Sequence, residues 1–321
     1  MRNALFLNIA KICKFSGFNA AIRPVYGGRG VILMFHRLTD KPQDHINMGG
    51  VVNIQYFEEL IAYIRSKNIE IIHLKDVPQY LGENDKEFVV ITFDDGYRDN
   101  LTLGLPVLKK YSAPATIFVP SKVLDLTIDA WWLQIEYCIQ KQILNVYSYA
   151  DMSGRIMRNP EILDAMRSEY FADQFEINKN HFMSPDEIKF MDSHDIIDIG
   201  GHTVSHPRLK DLKSDLAYCE IKDNKNDLED LLSRDIVTFA YPYGNVWSCD
   251  ERDFKLVEKA GYKVAVTTRE GNVFSGHQDH LTALPRYAVR GYLEDHSVFD
   301  MQRAGSYRAL KTRFGKPFVT Q

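Results

Sequence analysis

Residues 87–100, EFVVITFDDGYRDN, constrain the fold more than any other stretch of the chain. Residues 88–93 form a short, β-branched and aromatic run with no polar alternation, the pattern of a strand buried on both faces of a parallel sheet. Two adjacent carboxylates, Asp94 and Asp95, end it, and Gly96 lets the chain turn tightly behind them. In parallel α/β folds this end of a strand is where ligands and chemistry collect. A lone Asp-Asp pair also caps helices and starts turns, so its meaning depends on what the rest of the chain supplies.

The surrounding chain alternates strands and helices. Residues 31–35 (VILMF) read as a buried strand ending in His36 and Arg37. Residues 53–68 carry Phe57, Leu60, Ile61 and Ile64 at helical spacing, and 69–74 is a further strand. After the Asp-Asp strand come a helix near 100–111 and a strand at 115–119. From 121 to about 183 no clean strand occurs, and helical patterns at 130–144 and 161–171 point to an inserted helical lobe, opened by Trp131 and Trp132. That aromatic pair suits either a core or a platform for a sugar ring. Alternation resumes at Ser184, where S-P-D-E supplies an N-cap, a proline at the first helical position and a glutamate at the third. Strands follow at 196–199, 236–240, 262–267 and 284–289, with a charged helix at 214–232 and a helix at 250–260 stopped by Gly261. About eight strands in βαβ order make an α/β barrel the expected architecture. The expected layout is 1–30 as a helix and linker, 31–290 as the barrel with its insertion, and 291–321 as a helix and basic tail.

The 321 residues, 45% hydrophobic, are enough for one large core. A net charge of −4 gives no basic excess for nucleic acid. Four scattered cysteines form no CxxC pair and suit a reducing compartment. The opening residues read as an amphipathic helix with Lys11 and Lys14 on one side, packed on the body or touching a membrane. Arg308, Lys311, Arg313 and Lys316 add a local positive patch. Together these features lead us to expect a cytoplasmic protein, with peripheral contact at the inner membrane face as the extension of that reading.

GGHTVSH, residues 200–206, follows a strand and sets His202 and His206 four apart. On a helical turn that spacing puts both imidazoles on one face. With one Asp of the pair they make a three-ligand site with open positions, the pattern of hydrolytic zinc centres. TFDDG at 92–96, HTVSH at 202–206 and YPYG at 241–244, in that order, resemble the polysaccharide deacetylase (NodB-homology) family of carbohydrate esterases. The likeness spans about 31–289. It implies a distorted (β/α)7–8 barrel and removal of acetyl groups from N-acetylated amino sugars of a polysaccharide or lipid-linked glycan precursor. It further implies Asp94 as general base, and Asp95, His202 and His206 as ligands of a divalent metal, zinc first, with cobalt or nickel as substitutes. The amide near Tyr243, between Pro242 and Gly244, is the expected oxyanion donor.

The chain departs from the family pattern twice. The third motif usually carries an arginine two residues before its proline, where this chain has Ala240, so Arg286 is the candidate to orient Asp94. The usual Leu-x-x-His motif is matched by Leu293–His296, but His36, which resembles the N-terminal histidine of poly-N-acetylglucosamine deacetylases, is the favoured general acid. His194, His277 and His280 read as loop histidines. A non-catalytic glycan-binding protein of the same fold, or an O-deacetylase or other amidohydrolase, is the alternative reading.

Overall fold

The computed structural model describes residues 2–83, 86–143, 149–159, 161–169 and 173–319. Its strands are β1 (Gly30–Phe35), β2 (Arg37–Thr39), β3 (Val51–Asn53), β4 (Glu70–Ile72), β5 (Phe88–Phe93), β6 (Ala115–Val119), β7 (Ile197–Gly201), β8 (Thr238–Ala240), β9 (Val264–Val266) and β10 (Tyr287–Ala288). Every pairing between these strands is parallel. The main sheet runs β10-β1-β5-β6-β7-β8-β9, with β4 added to the first half of β5. Beyond β9, Val266 bridges Leu284, which leads directly into β10 beside β1. The sheet therefore curls round on itself as a distorted (β/α) barrel, and β2 and β3 form a separate two-stranded ribbon at its mouth.

The long apolar runs become β1, β5 and β6, in which every residue is buried. The later runs ladder over only three or two residues, at β8, β9 and β10, because an apolar run records burial, which extends past the paired residues. The helix expected near 100–111 opens with a π-type turn, Asn100–Gly104, before Leu105–Lys110. Such turns gather at functional sites, and Asn100 here donates to the carbonyl of His36 at 2.8 Å.

Alternation along the strands sorts side chains between two cores. Val31, Leu33 and Phe35 of β1, and Val89, Ile91 and Phe93 of β5, pack outward under the helices. Ile32, Phe88, Val90 and Phe118 fill the barrel interior with Ala240, Val264, Val266 and Leu284. The same parity carries Met34 and His36 on β1, Thr92 and Asp94 on β5, and Gly200 and His202 on β7 towards the interior and its mouth. In register Met34 pairs with Thr92, so one step further His36 stands across from Asp94.

Between β6 and β7 lie the helices Trp131–Gln140, Tyr149–Arg158, Glu161–Glu169 and Gln174–His181. Ile135, Met152, Ile156, Leu163 and Met166 give the first three a small core of their own, while Leu133 and Ile177 join the main core. Residues 144, 170 and 171 of the two helical segments expected here lie outside the described residues, as do residue 1 and residues 320–321 of the expected end segments.

Phe57 of the helix Ile54–Ser66 is fully buried, edge-on to Phe35 at 5.1 Å and to Phe93 at 5.6 Å. It wedges the ends of β1 and β5 that carry the mouth residues. Phe57→Ala is expected to lower unfolding free energy by about 3–5 kcal/mol, read as a fall in the urea midpoint at unchanged slope.

Candidate active site

A cavity of about 380 Å³ opens at the C-terminal ends of the strands, where Asp94, Asp95, His36, His202, His206 and Tyr243 all face it. Each reaches it by a different local device. Asp94 extends the β5 ladder one residue, its amide donating to the Phe35 carbonyl at 3.0 Å. Asp95 then turns into left-handed backbone at φ 75, followed by Gly96 at φ 72. The turn, rather than strand alternation, is what separates the two carboxylates.

His202 and His206 do not lie on a helical turn, contrary to the expectation from their spacing. The segment after β7 is a loop with Thr203 at φ 65 and His206 at φ 61, and a helix cannot contain such residues. Thr203 Oγ1 accepts from the His206 amide at 3.0 Å and closes the loop. The His202 amide donates to Asn224 Oδ1 at 2.8 Å, and the Asn224 amide group donates to Val119 O and Ser121 Oγ at 3.1 and 2.9 Å. Asn224 was not foreseen, but it left a trace. On the helix Ser214–Leu232 it shares the buried stripe of Ala217, Ile221 and Leu228, and a polar residue on such a stripe needs a partner.

The donor atoms fit a cation. His202 Nδ1 donates to the Ala240 carbonyl at 2.7 Å; because a carbonyl only accepts, the neutral ring presents its Nε2 lone pair to the other side. That lone pair meets Asp95 Oδ1 at 3.4 Å, and His206 Nε2 lies 3.3 Å from the same oxygen. Lone pairs and an anion at this range repel unless positive charge sits among them. The three ligand atoms lie within 4.8 Å of one another, and the 3.4 and 3.3 Å separations match the edge of a tetrahedron with bonds of about 2.1 Å to zinc. Asp95 Oδ1 is buried with no hydrogen-bond partner of good geometry among the described residues. Burial opposes ionisation of Asp95, and positive charge on the His202 and His206 rings beside it, in the place a cation would take, outweighs burial and holds its carboxyl well below the usual range. Burial likewise lowers the His206 pKa, favouring the neutral ring that ligation needs.

Asp94 is 3% exposed and is gripped by Arg286, which is fully buried. Nη1 donates to Oδ1 at 2.7 Å and Nη2 to Oδ2 at 2.8 Å. Arg286 is itself fixed by Nε–H to the Thr267 carbonyl at 2.9 Å and by Nη1–H to Thr92 Oγ1 at 3.1 Å. Burial works against ionised Asp94, and the charge of Arg286 overcomes it, so the carboxyl lies below its ordinary range. Arg286 thus supplies the guanidinium that position 240, an alanine, lacks.

Pro242, Tyr243 and Gly244 turn at the rim. Tyr243 is left-handed at φ 60, and a Cβ on Gly244, φ 56, would meet the Thr268 amide nitrogen at 2.5 Å, so only glycine lets the turn sit this close. Trp131 donates to the Tyr243 hydroxyl at 3.3 Å and Trp132 to the Tyr97 hydroxyl at 2.6 Å. Both tryptophans line the cavity. Burial pushes the Tyr243 phenol up to about 12.

His296 lies elsewhere. It begins the helix His296–Arg303 and stacks on Tyr63 at 4.4 Å, away from the cavity residues. His194 is tied to the Phe190 carbonyl, and His277, buried, to the Val319 carbonyl. The sequence reading also passed over Arg37, which pairs with Glu136 of the lobe at 2.7 Å in the cavity wall. Its only trace was its place directly after His36.

Removing Arg286 isolates a buried charge. Arg286→Met is expected to cost about 3–5 kcal/mol at neutral pH. In the wild type, Asp94's lowered pKa adds stability above the unfolded carboxyl pKa, which is lost as pH falls through the folded one. In the variant the carboxyl titrates upward and loses stability as pH rises. The gap between the two proteins therefore narrows from pH 7 towards pH 4, which urea melts at both values will measure.

Comparison with known proteins agrees with this geometry. A family model described as polysaccharide deacetylase matches residues 81–265. YxkH of Bacillus subtilis (strain 168), whose name assigns it to the polysaccharide deacetylases, is 24% identical over 245 residues, 75% of this chain. The chain spans 64% of that relative's length. In fold it is similar to the Streptococcus pyogenes deacetylase PplD in complex with acetate, with a TM-score of 0.60 at 20% identity over 85% of this chain and 97% of that one. It is also similar to IcaB from Ammonifex degensii, with a TM-score of 0.58 at 18% identity over 86% and 98%. With its motifs gathered at one barrel mouth and the family model covering more than half its length, this chain belongs to the polysaccharide deacetylase family.

Proposed function

We propose that the cavity is a metal-dependent hydrolytic centre that removes acetyl groups from N-acetylated amino sugars of a polysaccharide or lipid-linked glycan. The observation that carries this reading is the placement of the Asp95–His202–His206 donor set beside an ionised, arginine-held Asp94 in one cavity. Asp95, His202 and His206 would hold a divalent ion, zinc before cobalt or nickel. Such an ion supplies Lewis acidity for a carbonyl and acidifies water.

The chain's own residues account for the remaining steps. Asp94, kept anionic and aimed by two Arg286 hydrogen bonds, takes the proton of the attacking water. His36, half-buried across from Asp94, returns a proton to the departing amine. The Tyr243 amide, held in its left-handed turn by Thr268 Oγ1 donating to the Tyr243 carbonyl at 2.6 Å, contributes to the oxyanion site. Trp131 and Trp132 offer faces for a sugar ring.

The domain reading goes with this: residues 31–290 as the catalytic barrel, the 121–183 lobe as its wall, and 1–30 and 291–321 as flanking segments. Cys13, Cys219 and Cys249 are free thiols, two of them buried, which supports a reducing, cytoplasmic setting. Among the described residues no helix is long and apolar enough to cross a membrane.

Purified protein loaded with zinc or cobalt is expected to release acetate from N-acetylglucosamine oligomers, and chelation to stop it until metal is restored. Asp94→Asn should lose at least about 100-fold in kcat while metal content, measured by atomic emission, stays stoichiometric. Full activity in that variant would overturn the assignment of the base. Faster release from O-acetylated than from N-acetylated glycans would move the activity to ester hydrolysis.

A further inference from the structure

The helix Arg2–Phe15 is apolar on two sides. Ala10 and Cys13 pack inward against Val298 and Met301 of the helix His296–Arg303. Outward, Leu5, Ile12 and Phe15 are 62%, 64% and 81% exposed, with Ile9 between them. Residues 5, 9 and 12 recur at i, i+4 and i+7, one stripe of the helix. A helix apolar on two sides is normally covered on both; among the described residues this one is covered on one.

The chain beside Phe15 enters a cleft of about 310 Å³ whose wall includes Lys14, Arg23, Lys67, Arg303 and Asp300. Glu87 pairs with both Arg23 and Arg303, and Asp300 with Lys14 at 2.9 Å. Lys67 lies over the Tyr63 ring at 4.9 Å. Four cations against these two carboxylates leave a positive excess. Asn19, also in the wall, has both amide atoms buried with no hydrogen-bond partner among the described residues. Phe314, 58% exposed, meets Phe18 edge-on at 6.4 Å and is flanked in the chain by exposed Arg313. A ridge of apolar side chains bordered by cations is the surface that enters the headgroup boundary of an anionic bilayer. A two-fold contact with a second copy would instead set these cations against their own image.

We propose that this face docks onto an anionic phospholipid membrane, with Leu5, Ile12 and Phe15 entering the acyl boundary and the cleft of Lys14, Arg23, Lys67 and Arg303 receiving lipid phosphates. It goes beyond the hydrolytic reading and uses none of the cavity's residues. Its test needs neither metal nor glycan, so its failure is separable from failure of that reading.

The full chain is spun with phosphatidylglycerol-containing vesicles and with pure phosphatidylcholine vesicles. It is expected to sediment with the first and not the second, and to be released by high salt. Ile12→Asp with Phe15→Asp should abolish binding, and Lys67→Glu alone should weaken it by about fivefold or more, with circular dichroism showing both variants folded. No sedimentation with anionic vesicles, or binding unchanged in both variants, overturns the proposal. A lipid-free dimer that the double variant dissociates in light scattering also overturns it, by assigning the ridge to a second copy.

Discussion

A carboxylate sealed from water stays charged only if a cation is sealed in with it, and the Asp94–Arg286 pair is where this barrel meets that condition. Arg286 is fully buried and bidentate, so its own desolvation is compensated by Asp94, Thr92, the Thr267 carbonyl and the face of the Phe118 ring. Thr92 and Asp94 belong to β5 and its end, Thr267 follows β9, and Arg286 itself precedes β10. The pair therefore fixes β5, the segment after β9 and the approach to β10 relative to one another, and it does so at the level where the interior changes from apolar packing to polar chemistry. Above it, Asp95 and the two histidines stand in a geometry that needs positive charge among them. Two neighbouring carboxylates with two distinct counter-charges can both stay ionised, which neither could do against the other alone.

The barrel was legible because parallel strands covered on both faces appear as unbroken apolar runs, and β1, β5 and β6 are such runs. The adjacent acids and the paired histidines were legible as motifs. Their geometry was not. The spacing of His202 and His206 matches a helical turn, yet nothing in residue type announces that Thr203, a β-branched residue, is held at positive φ; tertiary contacts through Thr203 and Asn224 decide it. Arg286 could be suspected only from the gap at Ala240, since a buried arginine and a surface arginine look alike in sequence. Arg37 and Glu136, 99 positions apart, gave no pattern at all, because an ion pair across a lobe boundary has no period.

The lobe shows how the fold separates tasks. Part of its core is its own, Leu133 and Ile177 join the main core, and it reaches the mouth through polar links, Arg37 with Glu136, Trp132 with Tyr97 and Trp131 with Tyr243. The barrel supplies Asp94, its arginine and the two histidines, and the lobe supplies Trp131, Trp132 and Glu136 to the wall, so the shape of the cavity can vary while the ionisation of Asp94 stays as it is.

The distance along the chain between Asp94 and Arg286, 192 residues, has a bearing on synthesis. A ribosome adding about 5–20 residues per second exposes the Asp-Asp strand roughly 10–40 s before the arginine that keeps its first carboxylate charged. Until then the sheet lacks its closing strand and Asp94 has no buried counter-ion. The same docking event closes the barrel and gives Asp94 its counter-ion, so a nascent or truncated chain can display every family motif and still lack that pair.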